Sequence, residues 1–184
     1  MNRRTLIMLF GATALTACAG APQQRQLGAD GQPLPRLYRI SSEDARRIPF
    51  RALDAVNALR QGAGVPSLEL DSRLTAAAET HSRDMSLQNR PWHFGSDGSS
   101  PLDRAERVGF EGEFLGEAIS ETFESELETI AAWMQEPGSR RVILEPDARR
   151  MGFAFFQEPN GKIWWTMTVG TAPAAEPGGL PTTG

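Results

Sequence analysis

Two segments rich in aromatic and β-branched residues, Met151–Gln157 and Ile163–Val169, stand on either side of Pro159-Asn160-Gly161. Asn-Gly suits a type I′ turn, whose twist matches that of two antiparallel strands, so this stretch is expected to fold back as a hairpin. Upstream of it the periodicity is mostly helical. Ser41 with Asp44 is a capping-box pattern, and Phe50, Leu53, Val56 and Leu59 keep helical spacing until Gly62 and Gly64. Asp71 caps a second helix with Leu74, Ala78, His81 and Met85 on one side. Ser100, Pro101 and Asp103 start a short third helix ending near Gly109. Ser125 and Glu128 start a fourth, with Leu127, Ile130, Ala131 and Met134 as its apolar stripe and Pro137-Gly138 as its end. Phe114–Ile119 is a further strand candidate. Helices first and an antiparallel pair last make an α+β pattern, not a doubly wound sheet.

The ends have a different character. Arg3 and Arg4 precede an apolar run, Leu6 to Ala17, of about 12 residues, short of the roughly 20 that a bilayer span needs. The run closes in Leu15-Thr16-Ala17-Cys18, which looks like a bacterial lipobox and implies cleavage before Cys18 and lipid on its thiol. The expected organisation is a signal peptide over 1–17, a lipidated tether over 18–40, one domain over 41–171 and a disordered tail over 172–184. Ala19, in place of the Asp that lipoprotein sorting reserves for inner-membrane retention, implies the outer membrane in a two-membrane host.

Composition removes several classes. A net charge of -4 argues against a nucleic-acid partner. The single cysteine excludes an intrachain disulfide and any zinc finger, and two histidines exclude a three-His zinc site.

The densest motifs lie between His93 and Ile143. They are His93-Phe94-Gly95-Ser96-Asp97-Gly98, Pro101-Leu102-Asp103-Arg104, Gly116-Glu117-Ala118-Ile119, and Trp133-Met134 with Pro137-Gly138-Ser139-Arg140. Met151-Gly152-Phe153 and Trp164-Trp165 follow. In this order they resemble the CAP superfamily (cysteine-rich secretory proteins, antigen 5 and pathogenesis-related 1 proteins, or SCP domains), in its bacterial, disulfide-free branch. The resemblance spans about residues 50–171 and implies a three-layer α-β-α sandwich around an antiparallel sheet. Many members have a cleft of two His and two Glu that can bind a divalent cation. His93, Glu117 and Glu136 match three of these positions, and Ser139 stands where the second His is expected.

The resemblance therefore implies a ligand cleft of His93, Glu117, Glu136 and Ser139, with His93, Glu117 and Glu136 as the possible cation ligands. Loss of the second His weakens the case for Zn2+, while Mg2+ or Ca2+, which prefer oxygen, stay open. His93 has two readings, a structural partner of Glu117 or a ligand-contacting group. Ser139 lacks a nucleophile elbow. His81 reads as a helix-face histidine, and the Arg pairs at 46-47, 140-141 and 149-150 as solvated faces.

The expected function is an envelope lipoprotein with a binding module for a lipid, glycan or protein partner, and more binding module than enzyme. The alternatives are a metal-assisted hydrolase of peptide or cell-wall bonds and a structural lipoprotein with a vestigial cleft.

Overall fold

The computed structural model describes residues 38–173. The expected signal peptide, Cys18, most of the tether and the tail beyond 173 lie outside the described residues. Among the described residues, no helix is long and apolar enough to cross a membrane.

Helix α1 (Ser42–Gly62) starts at Ser41, whose side chain accepts from the Asp44 amide. A two-residue strand β1 (Glu69–Leu70) leads to α2 (Ser72–Gln88), capped by Asp71. Then come α3 (Pro101–Arg107), β2 (Phe114–Glu121), α4 (Glu126–Trp133), α5 (Pro137–Ile143), β3 (Arg150–Gln157) and β4 (Ile163–Gly170). The strands form one sheet in the order β1-β3-β4-β2. The β2–β4 and β3–β4 pairings are antiparallel as expected. The β1–β3 pairing is parallel, so the sheet is mixed rather than wholly antiparallel; two residues are too few to show a period in sequence.

The sheet is covered on both faces. Met151, Phe153, Trp165, Met167 and Val169 pack with Ile48, Ala52 and Val56 of α1, Ile130 and Trp133 of α4 and Ile143 of α5. On the other face the Ser82 hydroxyl of α2 donates to Thr166 Oγ1 at 2.8 Å, and Thr168 Oγ1 donates to the Leu74 carbonyl at 3.2 Å. Gly152 lets α2 come this close: a Cβ there would lie 2.2 Å from the Leu74 carbonyl carbon. Two-sided cover leaves every residue of β4 buried, Trp164 and Trp165 both completely.

Three local expectations change. The hairpin is not closed by a type I′ turn, because Gly161 (φ 96°) has positive φ and Asn160 does not. The Gly161 amide donates to the Glu158 carbonyl at 2.9 Å, so Pro159 and Asn160 are the central turn residues and proline takes its favoured second place. Pro137 does not end α4. That helix stops at Trp133, and Pro137 opens α5, where a missing N–H costs nothing. The apolar stripes also rotate. In α1 the buried positions are Ile48, Ala52, Val56 and Arg60, while Phe50 is 62% exposed. In α4 they are Glu126, Thr129, Ile130 and Trp133, while Leu127 is exposed.

Arg60 is fully buried, and its guanidinium donates to the carbonyls of Pro66 (2.6 Å), Ile143 (2.7 Å) and Ala148 (3.2 Å). One side chain thereby ties the end of α1 to the end of α5 and to the approach to β3.

Candidate functional site

Glu117 lies near the middle of β2, an edge strand, and its side chain is almost wholly buried. A buried carboxylate needs partners, and it has three. Arg104, itself buried on α3, donates from Nη2 to Glu117 Oε2 at 2.7 Å. His93 Nδ1 lies 2.9 Å from Glu117 Oε1, and His81 Nε2 lies 3.6 Å from the same oxygen.

Local structure delivers each partner. The Ser100–Asp103 capping box and Pro101 start α3 so that Arg104 falls on its inner side. Arg104 Nη1 also donates to the carbonyls of His93 (3.0 Å) and Ser99 (3.1 Å), which fixes the loop carrying His93. Asn89, in the left-handed region (φ 51°), ends α2 and turns the chain into that loop. His81 comes from the sheet-facing side of α2 and is fully buried.

The partners assign the tautomers of the neutral rings. Trp92 O, 3.0 Å from His81 Nε2, can only accept, so His81 carries its proton on Nε2 and its buried Nδ1 has no partner among the described residues. A second proton there would find no acceptor, and burial pushes the His81 pKa down. His93 is opposite. Its Nδ1–H donates to Glu117, and the half-exposed ring is left with Nε2 as a free acceptor. A carboxylate behind a histidine orients it in this way for whatever meets the other nitrogen.

His93, Glu117, Glu136 and Ser139, the four residues expected to form the cleft, line one cavity of about 580 Å³ with Pro91, Ile119, Ser120, Glu121 and Gly138. Glu136 caps α5: its two oxygens accept from the amides of Gly138 (2.8 Å) and Ser139 (2.5 Å). Those bonds hold its pKa below the ordinary carboxylate range. Arg140 and Arg141 are not its hydrogen-bond partners among the described residues.

The donor set does not fit the divalent cation that the resemblance implies. Both Glu117 oxygens already face Arg104 or the imidazoles, each Glu136 oxygen already accepts from a backbone amide, and His93 Nε2 is the imidazole nitrogen left open. Among the described residues no group of three His, Cys, Asp or Glu side chains converges to hold a metal ion. His93, Glu117 and Glu136 therefore share a cleft without forming a ligand triad.

Sequence reasoning gave no role to Arg104 and set His81 apart from the site. Arg104 sat in a quoted motif, but its buried ion pair has no local signature. The helical spacing that buries His81 with Leu74, Ala78 and Met85 carried no hint that β2 passes beside it. Ser120, whose buried hydroxyl has no partner among the described residues, was also missed.

Residues 53–169 match the family model described as the cysteine-rich secretory protein family, CAP. The chain is 29% identical over 120 residues to the uncharacterised protein YkwD of Bacillus subtilis (strain 168), covering 65% of this chain and 46% of that protein. It is 28% identical over 100 residues to the uncharacterised membrane protein YlbC of the same organism, covering 54% of this chain and 29% of that one. The chain thus spans less than half the length of these sequence relatives. Among solved structures, the fold is similar to an extracellular protein containing an SCP domain from Bacillus anthracis str. Ames, with TM-score 0.64 and 19% identity over 73% of this chain and 45% of that one. It is equally similar to an outer surface protein of Borrelia burgdorferi, with TM-score 0.64 and 15% identity over 74% of this chain and 98% of that one.

Proposed function

Because the chain belongs to the CAP family of cysteine-rich secretory proteins, we propose that it is a cell-envelope lipoprotein whose domain binds a glycan in the His93 cleft. The observation that carries this reading is the state of Glu117. Its two oxygens are taken up by Arg104 and by the Nδ1–H of His93, so it serves as a holder, and His93 Nε2 is the group it presents. Around that nitrogen the cleft is lined by the side chains of Glu121, Glu136 and Ser139, with Ile119 and Pro91 as its apolar walls. Such a lining, with hydrogen-bonding side chains set between the apolar walls of Ile119 and Pro91, suits a ligand that has both hydroxyl groups and apolar ring faces, as a glycan does. An extracellular protein and an outer surface protein among the similar structures, together with the Leu15-Thr16-Ala17-Cys18 stretch, support an envelope address.

The test is retention on insoluble peptidoglycan. Wild-type protein is expected to co-sediment, and His93→Ala, which leaves the buried Arg104–Glu117 pair in place, to be retained at least about tenfold less. Equal retention of the two proteins, or none by the wild type, removes the glycan reading.

A further inference from the structure

The loop that carries His93 has a second face. Trp92 and Phe94 are 40% and 46% exposed, and their rings meet each other with centroids 5.3 Å apart. The Arg90 guanidinium lies 3.6 Å from the centre of the Trp92 ring. Leu87, one turn back at the end of α2, is 78% exposed, the largest exposure among the large apolar side chains described. Arg83 lies over Phe156 at 4.7 Å, and neither Arg83 nor Arg90 pairs with a carboxylate among the described residues. None of Leu87, Arg90, Trp92 or Phe94 lines the His93 cleft.

The described chain begins at the same end of the domain. Gln157 Nε2 donates to the Tyr38 carbonyl at 3.0 Å, and Arg39 donates to the carbonyls of Glu158 and Pro159 in the β3–β4 turn. The end of α2 is fastened to that turn too. Ser86 donates to Glu158 at 2.8 Å, and Lys162 Nζ lies 3.2 Å from Asn89 Oδ1. The chain therefore enters the domain beside the turn that also holds the approach to Arg90 and Trp92.

We infer that Leu87, Arg90, Trp92 and Phe94 form a docking face for the surface of an anionic phospholipid bilayer. This rests on the lipid-anchor reading of Cys18 for its physiological setting. The 20 residues that separate Cys18 from Tyr38 can reach at most about 70 Å. An anchor at Cys18 would hold this end of the domain near the membrane, where a weak surface affinity acts at high local concentration. The chemistry fits the headgroup region. An exposed Trp prefers that depth, Leu and Phe reach the acyl boundary, and Arg90, with no carboxylate partner among the described residues, attracts anionic lipid.

The protein supplies its own reporter. Trp133, Trp164 and Trp165 are buried, which leaves Trp92 as the exposed member of the four tryptophans. All core residues of the described domain lie between Ile48 and Val169, so a chain starting at Ala19 keeps the whole core and loses only leader and anchor. That chain is titrated with vesicles of 7:3 zwitterionic to anionic phospholipid carrying brominated acyl chains, and its tryptophan emission is followed.

The expected result is saturable quenching with a blue shift. Both disappear in Trp92→Phe, and Leu87→Ser with Arg90→Glu shifts the midpoint at least about tenfold to higher lipid. Unchanged buried-tryptophan emission shows that the variants are folded. Absence of quenching overturns the inference. So does an emission change that follows protein concentration without lipid, which would assign the face to a second copy, or quenching that survives in the double variant. Flotation of the full chain against Cys18→Ser tests the anchor separately, so failure of one does not mimic failure of the other.

Discussion

Glu117 has one role in the fold and another in the cleft, and two substitutions separate them. Glu117→Ala strands the buried Arg104 guanidinium, and breaking such a pair from one side costs about 3–5 kcal/mol. His93→Ala removes a half-exposed ring and one hydrogen bond, a loss of about 1 kcal/mol. Urea denaturation is expected to show that inequality, and equal losses would mean that His93 is as structural as Arg104. His81 adds a pH dependence. Burial lowers its folded pKa below the ordinary value of 6.5, so beneath that pH the unfolded chain takes up a proton that the native one refuses. Stability should therefore fall as pH drops below about 6.5, by up to about 1.4 kcal/mol per pH unit, until the folded pKa is reached. Melts from pH 7.5 to 5.5 should show a smaller slope in His81→Gln than in wild type, and identical slopes would contradict the assignment.

At the scale of elements, the contact of α2 with β3 is set by the absence of a side chain. Gly152→Ala places a methyl against the Leu74 backbone, which cannot move without lifting the first turn of α2. The expected loss is about 1–3 kcal/mol or more by denaturant midpoint, and a neutral result would refute the close approach. The same elements show what a sequence tells and why. Caps were legible, because Ser41, Asp71, Ser100 and Ser125 act within three residues of themselves. The hairpin strands and the positions of α2 were legible because their periods are local. The stripe of α1 was not, because Arg60 looks polar in sequence yet is buried against the nearby Pro66 carbonyl and two carbonyls more than 80 residues away. The cleft was half legible. His93, Glu117, Glu136 and Ser139 came from motif order, whereas Arg104 and His81 join it only through the crossing of α2, α3 and β2.

Across the whole molecule, two surfaces share one loop. His93 turns inward to Glu117 and the cleft, while Trp92 and Phe94 turn outward. Because the acidic groups of the cleft are already bound within the protein, adding or chelating Zn2+, Mg2+ or Ca2+ should leave the melting temperature unchanged. A cation-dependent shift that vanishes in His93→Ala would show that the cleft rearranges to hold a metal. The central claim is that Glu117 holds His93, and the Trp92 carbonyl holds His81, in opposite tautomers, and that His93 Nε2 is presented to a glycan. Its most direct test is the long-range ¹H–¹⁵N spectrum of the two imidazoles, at a pH where both are neutral, with and without a soluble cell-wall oligosaccharide. We expect His81 with its proton on Nε2, His93 with its proton on Nδ1, and a ligand-induced shift at His93 Nε2 while His81 stays in place. Both rings in the same tautomer, or a His93 Nε2 signal that ignores the ligand, would contradict the account.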